Sequence, residues 1–251
     1  MQRKARRLAQ RLWRGVARRA WVTSRFAAPI LVAGATAAQA EIISARYTEP
    51  TDRYAHGVLG DAIEWGTLEL TLTDKSRRLI VLPKSRVFED LEPRLFDVDQ
   101  DGDLEAIVIE SSARLGARLA IYDENGLLAA NPYIGRTNRW LAPIGAADLD
   151  GDGHIEIAYI DRPHLAKTLR VWRFVDGALV DVTSLAGLTN HRIGEDFISS
   201  GIRDCGTGPE MITADARWQN LQVTRLADER LTTEPLTRFS QAALRQALAC
   251  R

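Results

Sequence analysis

Beyond residue 40 the chain is written in short alternating runs of apolar and polar residues. In GVLGDAIEWGTLELTLTDKSRRLIVLPKS two such runs flank a polar turn. A period of two places successive side chains on opposite faces, so the pattern predicts strands with one buried face. GARLAIYDENGLLA and KTLRVWRFVDGALV repeat the scheme around Asn125-Gly126 and Asp176-Gly177. Such dipeptides supply the positive φ that tight hairpin turns need. Helical spacing enters only at the end, where Ser240 stands as N-cap to AALRQALAC, with Leu244 and Leu248 on one face.

The runs recur as a unit. RLFDVDQDGDLEAIVIE, residues 94–110, is echoed by GAADLDGDGHIEIAYI, residues 145–160, at a shift of 51. That shift maps Asp97, Asp99, Asp101 and Glu105 onto Asp148, Asp150, Asp152 and Glu156, and Gly102 onto Gly153. Each unit reads as strand, acidic loop, strand, strand, turn, strand. A fainter copy follows at a shift of 54, Glu156 to Glu210 and Asp150 to Asp204, with its other loop carboxylates gone. Two alternating strands without an acidic loop precede the pair. Units of about 41–90, 91–138, 139–192 and 193–237 therefore fill a single repeat domain, 41–237, with a helical tail over 238–251. Repeated small sheets bury their faces against one another, which predicts an all-β, β-propeller-like fold of about four blades of four-stranded antiparallel sheet, with a short C-terminal helix. A twisted stack of hairpins or an open sandwich is the alternative.

The acidic loops carry the chemistry. Crowded carboxylates repel, each pair at about 5 Å by roughly 0.8 kcal/mol in water. The spacing D-x-D-x-D-G-x-x-E offers a compensation. Side chains one, three and five converge, the glycine at six permits a sharp turn, seven supplies a carbonyl, and nine closes the shell. The candidate ligands are Asp97, Asp99, Asp101, Asp103 and Glu105 in one loop, and Asp148, Asp150, Asp152, His154 and Glu156 in the other. Hard oxygen donors in that number suit Ca²⁺, about one ion per loop and two in all. An EF-hand fails, because position twelve is Val108 or Tyr159 and each loop exits into a β-type run. An acidic turn that binds nothing is the other reading of a single loop; two loops in phase favour the metal.

DVDQDGDLEAIVIE and DLDGDGHIEIAYI resemble the Ca²⁺ loops of the FG-GAP/VCBS repeat family, found in integrin-α-type propellers and in exported bacterial proteins. The resemblance is strong over the two central units and faint over the outer two. It implies propeller blades, with Ca²⁺ held in the loop joining the first two strands of a blade. The chain departs from the family in its shorter repeat, in Glu at position nine and in having only two intact loops.

Export fits this reading. Residues 1–40 hold nine basic residues and no acidic one, then FAAPILVAGATAAQA, ending in Ala38-Gln39-Ala40. A positive start, a short apolar stretch and a small-residue site predict a signal peptide cleaved after Ala40, and hence a periplasmic or secreted protein. The apolar stretch is too short to span a bilayer, so no integral membrane segment is expected in the mature chain. The remaining 211 residues carry 24 basic against 33 acidic side chains, about −9, which argues against a nucleic-acid partner. In an oxidising compartment Cys205 and Cys250 are disulfide candidates, closing a loop worth up to about 4 kcal/mol; two free buried thiols are the alternative.

Enzyme signatures are sparse. His56, His154, His164 and His191 show no metal-protease spacing, no G-x-S-x-G occurs, and GTGPE lacks the lysine of a phosphate loop. Trp65, Trp140, Trp172 and Trp218 recur about once per unit, as blade packing or as faces for a sugar or peptide. The sequence thus predicts a non-enzymatic calcium-binding module that recognises or scaffolds a protein or glycan. A carbohydrate-active hydrolase or lyase on the same scaffold is the alternative.

Overall fold

A computed structural model describes residues 40–251, so positions 1–39 of the predicted signal segment lie outside the described residues. The fold is nearly all β, with antiparallel pairing throughout. The first unit contains β1 (Ile42–Thr51), β2 (Glu64–Leu72) and β3 (Arg77–Val81). The short β4 (Arg86–Phe88) leads into the second, β5 (Arg94–Phe96), β6 (Glu105–Ser112), β7 (Gly116–Asp123) and β8 (Gly126–Ala130). The third is β9 (Leu141–Ala147), β10 (Glu156–Asp161), β11 (Thr168–Val175) and β12 (Ala178–Ala186). After β13 (Leu188–Thr189) the fourth holds β14 (Gly201–Asp204), β15 (Pro209–Asp215), β16 (Asn220–Ala227) and β17 (Arg230–Arg238), then helix α1 (Gln241–Leu248).

These units are distributed over three hydrogen-bonded sheets. The third and fourth keep their own, whereas the first two fuse into one eight-stranded sheet. The bridge is β4, which opposes β2 at Trp65–Phe88 and β6 over Arg86–Ser112, Val87–Ser111 and Phe88–Glu110. Strands in the middle of the stack are covered on both faces. Along β6, Ile107 and Ile109 enter a core shared with the third and fourth units, while Ala106 and Val108 enter a second core with Leu68, Leu70 and Phe88. This two-sided burial explains the unbroken apolar run AIVI, and each such isoleucine contributes about 1.5–3 kcal/mol.

The two hairpin turns differ. Asp123 pairs with Gly126, so the first is centred on Glu124-Asn125 with positive φ only at Gly126, rather than on Asn125-Gly126 as expected. Asp176 and Gly177 both take positive φ, 49° and 76°, as a type I′ hairpin requires. At the tail, the Ser240 hydroxyl accepts the Ala243 N–H at 3.0 Å, and Leu244 and Ala247 are buried against the last sheet. Cys205 and Cys250 form a disulfide that ties this helix to the fourth unit. The pairing fits the Leu248 contact at Gly201, where an added Cβ would sit 2.9 Å from a leucine methyl. Among the described residues no helix is long and apolar enough to cross a membrane.

Candidate functional site

Both acidic loops lie where the predicted strand order puts them, between β5 and β6 and between β9 and β10. In the first, Gly102 has φ 101° and in the second Gly153 has φ 90°, a conformation costly to any residue with a Cβ. That turn aims backbone N–H groups at the first aspartate: Gly102 donates to Asp97 Oδ2 at 3.2 Å, and Gly153 to Asp148 Oδ2 at 3.0 Å. The closing glutamates are matched as well. Glu105 Oε2 accepts the Val98 N–H, and Glu156 Oε2 the Leu149 N–H, each at 2.8 Å.

Asp97, Asp99 and Asp101 bring one carboxylate oxygen each within 4.8 Å of the others; Asp148, Asp150 and Glu156 do the same. The remaining candidates stand differently. Asp101 Oδ1 accepts the Asp103 N–H and Asp152 Oδ1 the His154 N–H, both at 2.9 Å, so Asp103 and His154 enter these turns through their backbone. The His154 side chain is exposed. One oxygen in each cluster, Asp97 Oδ1 and Asp150 Oδ1, is buried with no hydrogen-bond partner. A buried lone acceptor is costly unless something positive faces it. Oxygen-only donors converging on such an atom fit a hard divalent cation.

The two loops differ in what compensates their charge. Register places Arg173 of β11 directly opposite Glu156 of β10. Its guanidinium reaches Asp150 Oδ2 at 2.7 Å, Asp152 Oδ2 at 2.8 Å and Glu156 Oε1 at 2.5 Å. In the first loop, Tyr122 opposes Ala106, which sets Asp123 beside the Glu105 end of the ladder. No described lysine or arginine forms an ion pair with Asp97, Asp99, Asp101, Asp103 or Glu105. Asp123 instead joins Asp99, Asp101, Asp103 and Glu105 around a cavity of about 290 Å³. Burial pushes Glu105 up to about 7, the neighbouring aspartates push it further the same way, and the Val98 N–H opposes them. Burial raises Glu156 too, and Arg173 offsets only part of that rise. In the fourth unit, where Ile202 and Gly206 replace two of the loop carboxylates and Asp204 remains, Glu210 is held by Arg203 and Arg225.

The loops also touch. The Gln100 side chain donates to the Gly153 carbonyl at 2.6 Å, and a cleft of about 480 Å³ lies between them, lined by Asp99, Gly153, His154 and Phe174 among others. Gln100 sits at φ 62°, where the second loop has Gly151.

Sequence reasoning missed Arg173 and Asp123, because neither lies inside the loop motif. It also missed the grouping of His56, His164 and His191, which come from three separate segments and carry no spacing signal. Three of the four repeated tryptophans are tied into the fold by their contacts. Trp140 is buried and donates to the Glu89 carbonyl, Trp172 to the Tyr159 hydroxyl, and Trp218 lies beneath Arg192 and against Phe239.

Repeated antiparallel units with a glycine-turned acidic loop between their first two strands define a propeller-like repeat protein of the all-β class. Within it, residues 97–159 match the family model of the FG-GAP-like repeat, a span covering both acidic loops. No curated protein and no solved structure matches the chain.

Proposed function

We propose that the chain is an exported calcium-binding module of propeller-like architecture that recognises a protein or a glycan, with the metal in a structural role. Support for the metal comes from one observation above the rest. The first loop gathers Asp97, Asp99 and Asp101 within 4.8 Å, leaves Asp97 Oδ1 buried without a partner, and has no cationic side chain paired with it among the described residues. The residues fit the ion as donors: Asp97, Asp99, Asp101 and Glu105 in the first site, Asp148, Asp150, Asp152 and Glu156 in the second. In the second site Arg173 must give way for an ion to enter. A bound divalent cation would remove the mutual repulsion of the carboxylates and hold them ionised, which makes them poor general acids. For that reason the loops serve architecture rather than acid–base chemistry.

The Cys205–Cys250 disulfide and the sequence of residues 1–40 support a periplasmic or secreted location. Titration calorimetry with Ca²⁺ on the purified mature chain tests the metal. Uptake that is lost in Asp97→Asn is the expected result; no heat and no Ca²⁺-dependent melting shift would overturn it. Capture from a periplasmic extract with and without EGTA then tests whether recognition depends on the ion.

A further inference from the structure

The repeat is broken in two places, and both breaks lead to one pocket. In the third unit β9 runs the length of β10 with a single bulge between Ala158 and Tyr159. In the second unit the corresponding edge of β6 is shared by β4 and β5, with residues 89–93 looping out between them. In the fourth, β15 is shared by β13 and β14, with residues 190–200 looping out. The first break delivers Glu89, and the second delivers Asn190 and His191; all three are buried. Regularity given up at two equivalent places points to function rather than to packing.

We propose that the pocket these breaks build is a ligand site, separate from the acidic loops, for a small molecule bearing an anionic oxygen head group, carboxylate or phosphate, on an apolar body. The pocket measures about 220 Å³, and its lining includes His56, Arg139, Trp140, His164, Leu165 and Ile193. Two buried polar chains support its imidazoles from behind. Glu89, with no exposed surface, meets His56 Nδ1 through one oxygen and takes the Ser111 hydroxyl on the other. His191 Nε2 lies 2.9 Å from the Glu195 carbonyl, which can only accept, so that nitrogen carries the hydrogen. Burial lowers the pKa of His191 and brings that of His164 down to about 4, so both rings are neutral at pH 7. His191 Nδ1 is therefore a lone pair, and His164 Nε2, 2.9 Å away, must donate to it. His164 Nδ1 is left as an acceptor on a ring that lines the pocket. It cannot donate to the head group and is matched only by a hydroxyl of the ligand, such as a singly protonated phosphate carries.

Charge and surface complete the site. Arg139 donates to the Asn138 carbonyl at 2.6 Å but forms no ion pair with a described carboxylate, unlike Arg162, which is paired with Asp161. It is the available counter-charge for an anion. Leu165 and Ile193 are 63% and 72% exposed at the same rim, and with buried Trp140 they offer an apolar bed. A network that only knitted the units together would need neither an unpaired guanidinium nor exposed aliphatic side chains around it.

The test is NMR titration of the mature chain in EGTA, following the imidazole signals of His56 and His164. Phenyl phosphate and benzoate are the two head groups, and benzyl alcohol is the uncharged control. Saturable shifts with at least one anion, weak or absent with the alcohol, are expected, and the tighter anion identifies the head group. Arg139→Gln should weaken that binding by about tenfold or more, the scale of one charged hydrogen bond, with melting unchanged. No saturable shift with either anion, an equal response to benzyl alcohol, or unaltered binding in the arginine variant would overturn the proposal.

Discussion

The two acidic loops are near-copies in sequence and opposites in electrostatics. Each has the same glycine turn, the same backbone-anchored glutamate and one orphaned aspartate oxygen. One carries its own cation, Arg173, across the hairpin; the other has Asp123 at the equivalent end and no cation paired with it among the described residues. The fourth unit extends the series, with Arg203 and Arg225 on Glu210 and only Asp204 left of the other loop carboxylates, accepting the Gly206 and Gly208 N–H groups. A guanidinium can thus do internally what a divalent ion does from solution. Once the arginine is present, the remaining loop carboxylates are free to be lost. Among the described residues the first loop has no such substitute, so its need for an external cation is the greater.

The largest expected effect comes from removing the internal cation. Arg173→Gln leaves Asp150, Asp152 and Glu156 facing one another, with Glu156 fully buried. Removing one partner of a buried pair costs about 3–5 kcal/mol. Denaturant unfolding in EGTA should show that loss, and added Ca²⁺ should restore most of it, because the ion can now take the arginine's place. A variant as stable as wild type in EGTA would break the comparison.

Next comes the metal itself. With free Ca²⁺ a hundredfold above the dissociation constant, a site adds about 2.7 kcal/mol. Asp97→Asn should abolish most of the Ca²⁺-dependent rise in melting temperature, and Asp148→Asn only a small part. Equal losses would show that Arg173 does not compete with calcium. The transplant runs the other way: Asp123→Arg should supply the first loop with a resident cation and shrink its Ca²⁺-linked stabilisation to under about 1 kcal/mol. An undiminished calcium response in that variant would count against the guanidinium as a substitute.

Much of this was legible in the sequence, and the limits are physical. Alternation and the Asn-Gly and Asp-Gly turns located the hairpins, and the repeat located both loops, because these signals are local. The even cysteine pair, together with the predicted export, pointed to the disulfide. The fusion of the first two units was not legible: it depends on three residues, Arg86–Phe88, too few to show a period. Arg173 was hidden for another reason. The loop glutamate and its cross-strand partner are 18 residues apart for Glu105 and Asp123, 17 for Glu156 and Arg173, and 15 for Glu210 and Arg225. One constant shift cannot align all three, and only hairpin register reveals that they share a place. The pocket histidines were hidden because their neighbours are supplied by loops that interrupt the repeat.

The smallest effect, and the most direct probe of the difference, is the pH dependence of the metal-free protein. Glu105 has a folded pKa of about 7, raised above its unfolded value, with burial the main cause. A carboxyl raised in this way holds its proton more tightly when folded. Its contribution to stability is full below about pH 4.5, falls as pH climbs, and is gone once the pH passes about 7. Discounted for the solvent that reaches the first loop, the loss should be about 1–2 kcal/mol in EGTA. Calcium reverses the sign, since the ion binds the ionised form and is expelled by protons. Denaturant midpoints between pH 5 and 8 should therefore fall in EGTA and rise in Ca²⁺. Glu105→Gln should lessen both slopes, the rest of the EGTA slope belonging to other buried carboxyls such as Glu64, which burial raises to about 9. Glu156→Gln should flatten the EGTA slope less, because Arg173 offsets part of the burial that raises Glu156. If both variants flatten the EGTA slope alike, the two loops are electrostatic equals and the resident arginine does not stand in for a metal.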